Sequence, residues 1–545
     1  MVKLTFLGGA RTVTGSSFLL ETDNLKLMID CGLFQGNREL RMRNYRNPLV
    51  DPKSVDYILL THAHIDHSGL IPRFCKQGFR GQVVATRATA DLCQVMLPDS
   101  GHIQEVEAEW KSRKARRRGD RPTQPLYTAQ DALESLQFFQ PVDYNQEVTI
   151  RDQVRFRFRD AGHILGSALI EMQVKDGDGE LKLVFSGDLG QVGTPIIKDP
   201  ELVSEADYVL IESTYGNRLH QPLGDQAAQL KRIITETMAR QGNVVIPAFA
   251  VGRTQDILYT LNQMVEEHEM GPIPVYIDSP LAVSATEIFE RNRDCFDAET
   301  AQLIAGGDDP FQFPGLHLVR TTQESMALNH LPGGKVIISA SGMCDAGRIK
   351  HHLKHNLWRP ESSVVFVGYQ AEGTLGRRIL DGEKKVKILG EIINVAAQIH
   401  SLEGFSAHAD QKGLIDWLSH LNNQPKQVFV VHGEETAAST LAELIDRELG
   451  LNALIPRAGE EYRLGAEGTE LAEVPAAQGL AIPAVSQEQK KQLLLTIFHL
   501  EKKLSDLKQD LLLAENDLDG ELLEKVVKEI EERIATLDHI CPHKY

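Results

Sequence analysis

Three histidines and an aspartate fall within six positions of THAHIDHSG, residues 61–69, directly behind the apolar run VDYILL. Imidazole and carboxylate without thiolate form a borderline-to-hard ligand set, the kind that holds hydrolytic metals. His62 and His64 stand two apart just past the end of a predicted strand, so their side chains project to one side and can share a cation. Asp66 and His67 are adjacent and lie one turn further on; they suit a second cation beside the first. Other predicted strand ends supply further donors: Asp30 in MIDCG, His163 in RDAGHILGSA, Asp188 in VFSGDLG and His432 in VVHGE. An anionic aspartate is able to bridge two metals.

A second chemistry is written in the middle of the chain. Three predicted strands end in loops carrying Gly-Arg: Gly252-Arg253, Gly347-Arg348 and Gly376-Arg377. Glycine lets backbone amides approach a phosphate, and arginine grips phosphate oxygens bidentately. Ser341 and Gly342 of SASG extend the same expected phosphate-lined groove. The run KSRKARRRGDR, residues 111–121, is open between a phosphate-binding patch and a solvated helical face. HHLKH places His351 and His355 four apart without a third ligand, and a solvated helix face is the better reading; His400 lies outside every motif.

These residues need elements to position them. Residues 1–207 alternate short β-branched or aromatic runs with Gly, Asp and Asn punctuation, which predicts strands. From 208 to 385 strand and helix alternate, which predicts a parallel sheet covered by helices. Residues 386–465 return to histidine-bearing strand ends, so the middle segment is expected to interrupt a domain that the chain then completes. Residues 466–485, rich in Ala, Gly, Glu and Pro, are expected to be a linker. In 486–545, Leu493, Ile497, Leu500, Leu504, Leu507 and Leu511 repeat at coiled-coil spacing before Asp519-Gly520, which predicts a helical hairpin. Its apolar stripe fits its own body, a second copy in a homodimer, or another protein.

Bulk composition sets limits. The 545 residues are 42% hydrophobic and 25% charged, typical of a globular chain with two or three domains. No apolar stretch reaches membrane-spanning length, and MVKLTFLGGA lacks a leader's apolar region, so a first strand and a cytoplasmic location are expected. The six cysteines are scattered, which supports neither disulfides nor a cysteine zinc cluster. A formal charge of −18 argues against a uniformly basic nucleic-acid-coating surface but leaves room for a local basic groove.

THAHIDHSG resembles the H-x-H-x-D-H signature of the metallo-β-lactamase superfamily, with Asp30, His163 and Asp188 at its other motif positions. IESTYGNR with Glu212, FSAHAD with His408 and VVHGE with His432 resemble the additional motifs of its β-CASP nucleases, across residues 1–460. The resemblance implies an αββα sandwich with an inserted α/β β-CASP domain. It implies two zinc ions per chain: His62, His64 and His163 on one, Asp66, His67 and His432 on the other, Asp188 bridging, and Asp30 orienting the ligands. A hydroxide between the metals is then the nucleophile, and His408, kept protonated by Glu212, the general acid. The implied substrate is single-stranded RNA, cut internally, with trimming from the 5′ end left open beside it. A thioester or lactone hydrolase and a non-catalytic RNA-processing scaffold are the competing readings, and DNA cleavage stays open.

Overall fold

The computed structural model describes residues 2–118, 122–177, 179–220, 223–371, 373–402 and 405–472. The helical hairpin and most of the linker expected from the sequence lie outside the described residues. Alternation builds the first layers. In Val2–Gly8 every second side chain is buried, and Val2, Leu4 and Phe6 face a shared core. That core lies between two mixed sheets, since it unites Leu20, Leu27, Ile29 and Leu59 with Phe156, Phe158, Ile170, Leu183, Leu210 and Phe429.

The eight-stranded sheet runs Gly468–Leu471, Glu461–Gly465, Val2–Gly8, Ser17–Glu21, Lys26–Ile29, Tyr57–Leu59, Gln82–Thr86 and Phe139–Val142. The seven-stranded sheet runs Ala453–Leu454, Gln427–Val431, Tyr208–Glu212, Gly179–Phe185, Ala168–Asp176, Val154–Asp160 and Val148–Ile150. Strands buried on both faces need helices outside. Val209, Ile211, Val428 and Val430 pack under the helices Gln411–Ser419 and Glu435–Leu444 through Leu414, Trp417, Leu418 and Leu441. Ile58, Leu60, Val83 and Ala85 pack outward with Ile71, Phe74, Leu92 and Leu97 of the helices Ile71–Lys76 and Arg87–Arg118. The result is the expected αββα sandwich.

The third sheet has six strands, all parallel: Leu316–Leu318, Val275–Ile277, Val336–Ser339, Val244–Pro247, Ser363–Phe366 and Gln398–Ser401. This is the inserted α/β segment, but its edges differ from those expected. Tyr208–Glu212 belongs to the seven-stranded sheet, parallel to both Gly179–Phe185 and Gln427–Val431. Gln398–Ser401, expected to lie in the returning segment 386–465, is an edge strand of the inserted sheet, paired with Ser363–Phe366. The linker expected from 466 also starts later, because Gly468–Leu471 pairs antiparallel with Glu461–Gly465. In each case the strand's partner, remote in sequence or across a Gly-rich turn, decides membership.

Candidate active site

Sheet direction gathers the site. Lys26–Ile29 and Tyr57–Leu59 are parallel, so Asp30 and the 61–67 loop leave the same edge. Gly179–Phe185, Tyr208–Glu212 and Gln427–Val431 are also parallel, and they deliver Asp188, Glu212 and His432 from one edge of the second sheet. Val154–Asp160 runs the same way, two antiparallel pairings along, and delivers His163. Asp30 and His432 both adopt left-handed backbone, φ 59° and 46°. Such strain persists where the surroundings over-determine it; His432 is fixed by its N–H donating to the Gly9 carbonyl at 2.6 Å and its carbonyl accepting from Ser213 N at 3.2 Å.

Two donor groups result. In the first, His62 Nε2 lies 3.1 Å from His64 Nδ1, and His163 Nε2 lies 3.3 Å from the same atom. Asp188 Oδ2 is 3.5 Å from His62 Nε2 and 3.6 Å from His163 Nε2. Ligands 2.0–2.1 Å from a tetrahedral metal lie about 3.3 Å apart, so this group fits one divalent ion. In the second, Asp188 Oδ1 is 3.3 Å from His67 Nε2 and 3.6 Å from His432 Nε2, which is 4.0 Å from Asp66 Oδ2. Asp188 thus presents one oxygen to each group. His67 Nε2 and Asp188 Oδ1 are buried without hydrogen-bond partners, as open ligand positions should be.

The electrostatics suit cations. Burial pushes the His62 and His163 imidazoles far down, and His64 and His432 to about 3, which keeps all four in the neutral, ligating form. Burial raises the Asp66 carboxyl to about 6. His67 goes the other way. Burial opposes its charge, but Asp188 and Asp30 outweigh that and hold it well above the usual imidazole range. A metal binding there would compete with a proton for the ring. The orienting layer is explicit: Asp30 Oδ2 accepts from His67 Nδ1 at 2.7 Å and from Thr61 Oγ1 at 2.9 Å, and Ser16 Oγ meets His432 Nδ1 at 2.6 Å.

Beside the ligands stands His408. Its Nδ1 is 3.0 Å from Glu212 Oε1 and 3.9 Å from Asp188 Oδ2. Glu212 is fully buried and also accepts from the backbone N–H of Leu189 and Thr214 at 2.9 and 3.1 Å. Arg218, the local partner a strand-end glutamate would ordinarily take, instead covers the Tyr215 ring. The His408 backbone is laced to the loop that carries Asp188: Ala409 N donates to Leu189 O at 2.7 Å and Gln191 N to Ala407 O at 3.1 Å.

Comparison with known proteins agrees with this layout. Residues 10–234 match the Metallo-beta-lactamase superfamily model, 254–379 the Beta-Casp domain, and 392–456 the Zn-dependent metallo-hydrolase RNA specificity domain. Ribonuclease TTHA0252 of Thermus thermophilus is 38% identical over 82% of this chain and 96% of its own. The chain belongs to the β-CASP metallo-β-lactamase family. Two archaeal transcription termination factors FttA are also similar in sequence. That of Methanosarcina mazei is 32% identical over 82% of this chain and 69% of its own, and that of Methanocaldococcus jannaschii 30% over 84% and 70%.

The β-CASP segment closes over the first donor group. The ring of Phe249 lies 6.1 Å from that of His64, and a Cβ on Gly252 would come within 2.9 Å of Ile164, next to His163. Of the residues expected to contact phosphate, Gly342 packs against Phe249, and Ser341 Oγ bonds the Ala346 backbone. The arginines have protein partners. Arg253 is buried and pairs with Asp256 at 3.0 Å, leaving its Nε without a partner. Arg348 donates to buried Asp278 at 2.6 Å and to the carbonyls of Val319 and Arg320. Arg377, more exposed, pairs with Asp381 at 2.8 Å. In the basic run Lys111 and Arg113 pair one turn back with Glu107 and Glu109, the solvated-face alternative for those two. Within HHLKH the buried histidine is His352, whose Nε2 bonds Asp278 at 2.6 Å; His351 and His355 are exposed. Ser16 and Thr61 were missed by sequence reasoning. A serine or threonine beside a motif carries no ligand-like signal until the fold sets it against an imidazole.

Proposed function

We propose that this chain is a zinc-dependent ribonuclease that hydrolyses phosphodiester bonds of single-stranded RNA, internally and also from the 5′ end, with two metal ions held by the two donor groups. The observation that carries the reading is the Asp188 carboxylate, with one oxygen against each group and His408 at its side. His62, His64 and His163 would hold one ion, Asp66, His67 and His432 the other, and Asp188 both. When bound, such ions supply Lewis acidity toward a phosphoryl oxygen and lower the pKa of water toward neutrality.

The chain's own residues do the rest. Asp30, Thr61 and Ser16 fix ring orientations, so the site is organised before substrate arrives. Cleavage that leaves a 5′-phosphate expels a 3′-oxygen that needs a proton. With His408 Nδ1 held by Glu212, Nε2 is the atom that donates it. Ribonuclease TTHA0252, colinear along most of the chain, and the match of residues 392–456 to an RNA specificity domain support RNA as substrate over a thioester or lactone. A cytoplasmic location goes with this reading; no helix among the described residues is long and apolar enough to cross a membrane.

The test uses RNA labelled separately at each end, digested by wild type and by Asp66→Ala, with the metal content of both measured. Wild type is expected to hold two zinc ions and to give internal product ladders. Asp66→Ala is expected to lose one ion and at least a hundredfold in rate. Metal-free wild type, or intact RNA alongside a hydrolysed thioester or lactone, would overturn the reading.

A further inference from the structure

Leaving the site along the Asp30 loop, the chain forms an element that the catalytic account does not use. Gly32 packs so closely on the Asp66 carbonyl that a Cβ would lie 1.7 Å from it, and Leu33 N donates to Ile65 O at 2.9 Å. Phe34 is buried, and four residues later, at most about 14 Å of chain, begins the helix Arg38–Arg43. Its turn continues through Tyr45 N to Met42 O and Arg46 N to Arg43 O, both 3.2 Å. Residues three and four apart share a helix face. Arg38, Arg41 and Tyr45 therefore form a stripe, with Arg46 beside its end, and all four are exposed. Among the described residues no carboxylate forms an ion pair with any of the three arginines, although acidic residues outnumber basic ones 76 to 58 in this chain.

The element is fixed in place. Asn44 is buried and exchanges two hydrogen bonds with the Phe34 backbone, at 2.8 and 2.7 Å. The buried guanidinium of Arg73 donates to the carbonyls of Asn44 and Arg46, so it clamps the end of the helix. The start of the helix also approaches the β-CASP segment. Asn37 Cβ lies 3.9 Å from where a Cβ would stand on Gly373, in the loop after the β-CASP strand Ser363–Phe366. A row of exposed guanidiniums, of which Arg41 lies within electrostatic reach of Asp345, with a half-exposed tyrosine, set where the chain approaches the β-CASP segment, has the chemistry of a single-strand platform. Guanidinium grips phosphate and the aromatic ring stacks on a base.

We propose that Arg38, Arg41, Tyr45 and Arg46 bind the flank of the RNA outside the catalytic cleft, so that a long strand is held more tightly than a short one. This inference rests on the ribonuclease reading. The test compares full-length wild type with the triple variant Arg38→Ala/Arg41→Ala/Arg46→Ala and with Tyr45→Ala, using a long single-stranded RNA and a hexanucleotide over a salt series. Removing three phosphate contacts is expected to flatten the log–log salt dependence of long-RNA binding by about two units. The ratio of kcat/KM for long over short RNA is expected to fall at least tenfold, with zinc content kept. Arg41→Glu, a single surface change, is expected to show the same direction should the triple variant fold poorly. A wild type that cleaves RNA, with variants that keep its salt slope and length preference, overturns the platform alone. So does an equal loss on both lengths, and so does a patch that captures an acidic protein while RNA is unaffected. A wild type that neither binds nor cleaves RNA overturns the ribonuclease reading and the platform with it.

Discussion

His408 can act as an acid only while its imidazole carries a proton, and two opposing influences set when it does. Burial disfavours the charged ring, but Glu212, by charge and by hydrogen bond, together with Asp188 and Asp66, outweighs burial and raises its pKa above the ordinary value. Cleavage should therefore persist below that raised pKa and fall as pH rises through it. In Glu212→Gln the charge is gone while a hydrogen-bonding group remains, so the alkaline limb of the pH–rate profile should move to lower pH. His408→Ala should hold the same metal as wild type and lose about 10²- to 10⁴-fold in rate. Both are read from single-turnover rates against pH with metal content measured alongside. A limb that stays in place in Glu212→Gln, or metal loss in His408→Ala, would contradict the assignment. These two residues were legible only by family resemblance. A strand-end glutamate and a loop histidine 196 positions apart announce nothing by spacing, whereas HAHIDH announces a metal centre by itself.

Elements set the distances that the ligands then exploit, and the closest approaches are between backbones. Gly190 follows the Asp188 turn, and a Cβ there would lie 1.7 Å from Gly162 O and 2.8 Å from His163 N. Neither atom is a side-chain tip that can swing aside. Gly190→Ala should thus push the loop of His163 away from that of Asp188, and opening a donor group by about 1 Å is enough to cost roughly a hundredfold in rate. The variant should lose one metal equivalent, measured by elemental analysis, while far-UV circular dichroism stays native; full metal and full activity would show that the loops can separate harmlessly. Strand existence was largely readable from residue type, because β-branched and aromatic runs bounded by Gly and Asp carry their own signal. Sheet membership was not. YVLIE read as the first strand of the inserted segment and QIHS as part of the returning one, yet the first completes the sandwich and the second the parallel sheet, decided by ladders to residues far along the chain. The same holds for Arg348. Its phosphate-like loop was visible in sequence, and its partner Asp278, 70 residues away, was not.

At the scale of the whole molecule, the second donor group joins chain on both sides of the β-CASP insertion: Asp66 and His67 come before it and His432 after. A metal there is a cross-link between the two flanks, absent from the unfolded chain. Each site filled at a hundredfold excess over its Kd adds about 2.7 kcal/mol to folding. Chelation should accordingly lower the thermal midpoint by several degrees, and restored zinc should recover it. Because Asp188 and Asp30 favour the charged His67 ring, metal binding there competes with protonation. Zinc affinity should therefore weaken as pH falls, and calorimetry in buffers of different ionisation enthalpy should register proton release. His432→Ala separates this from a general metal effect. It removes the second donor group's ligand from beyond the insertion, so it should keep the first ion and yet lose most of the chelator-sensitive part of the midpoint. A midpoint in that variant as chelator-sensitive as wild type would mean that the metals stabilise the N-terminal half alone and that the flanks are closed by packing between the two sheets.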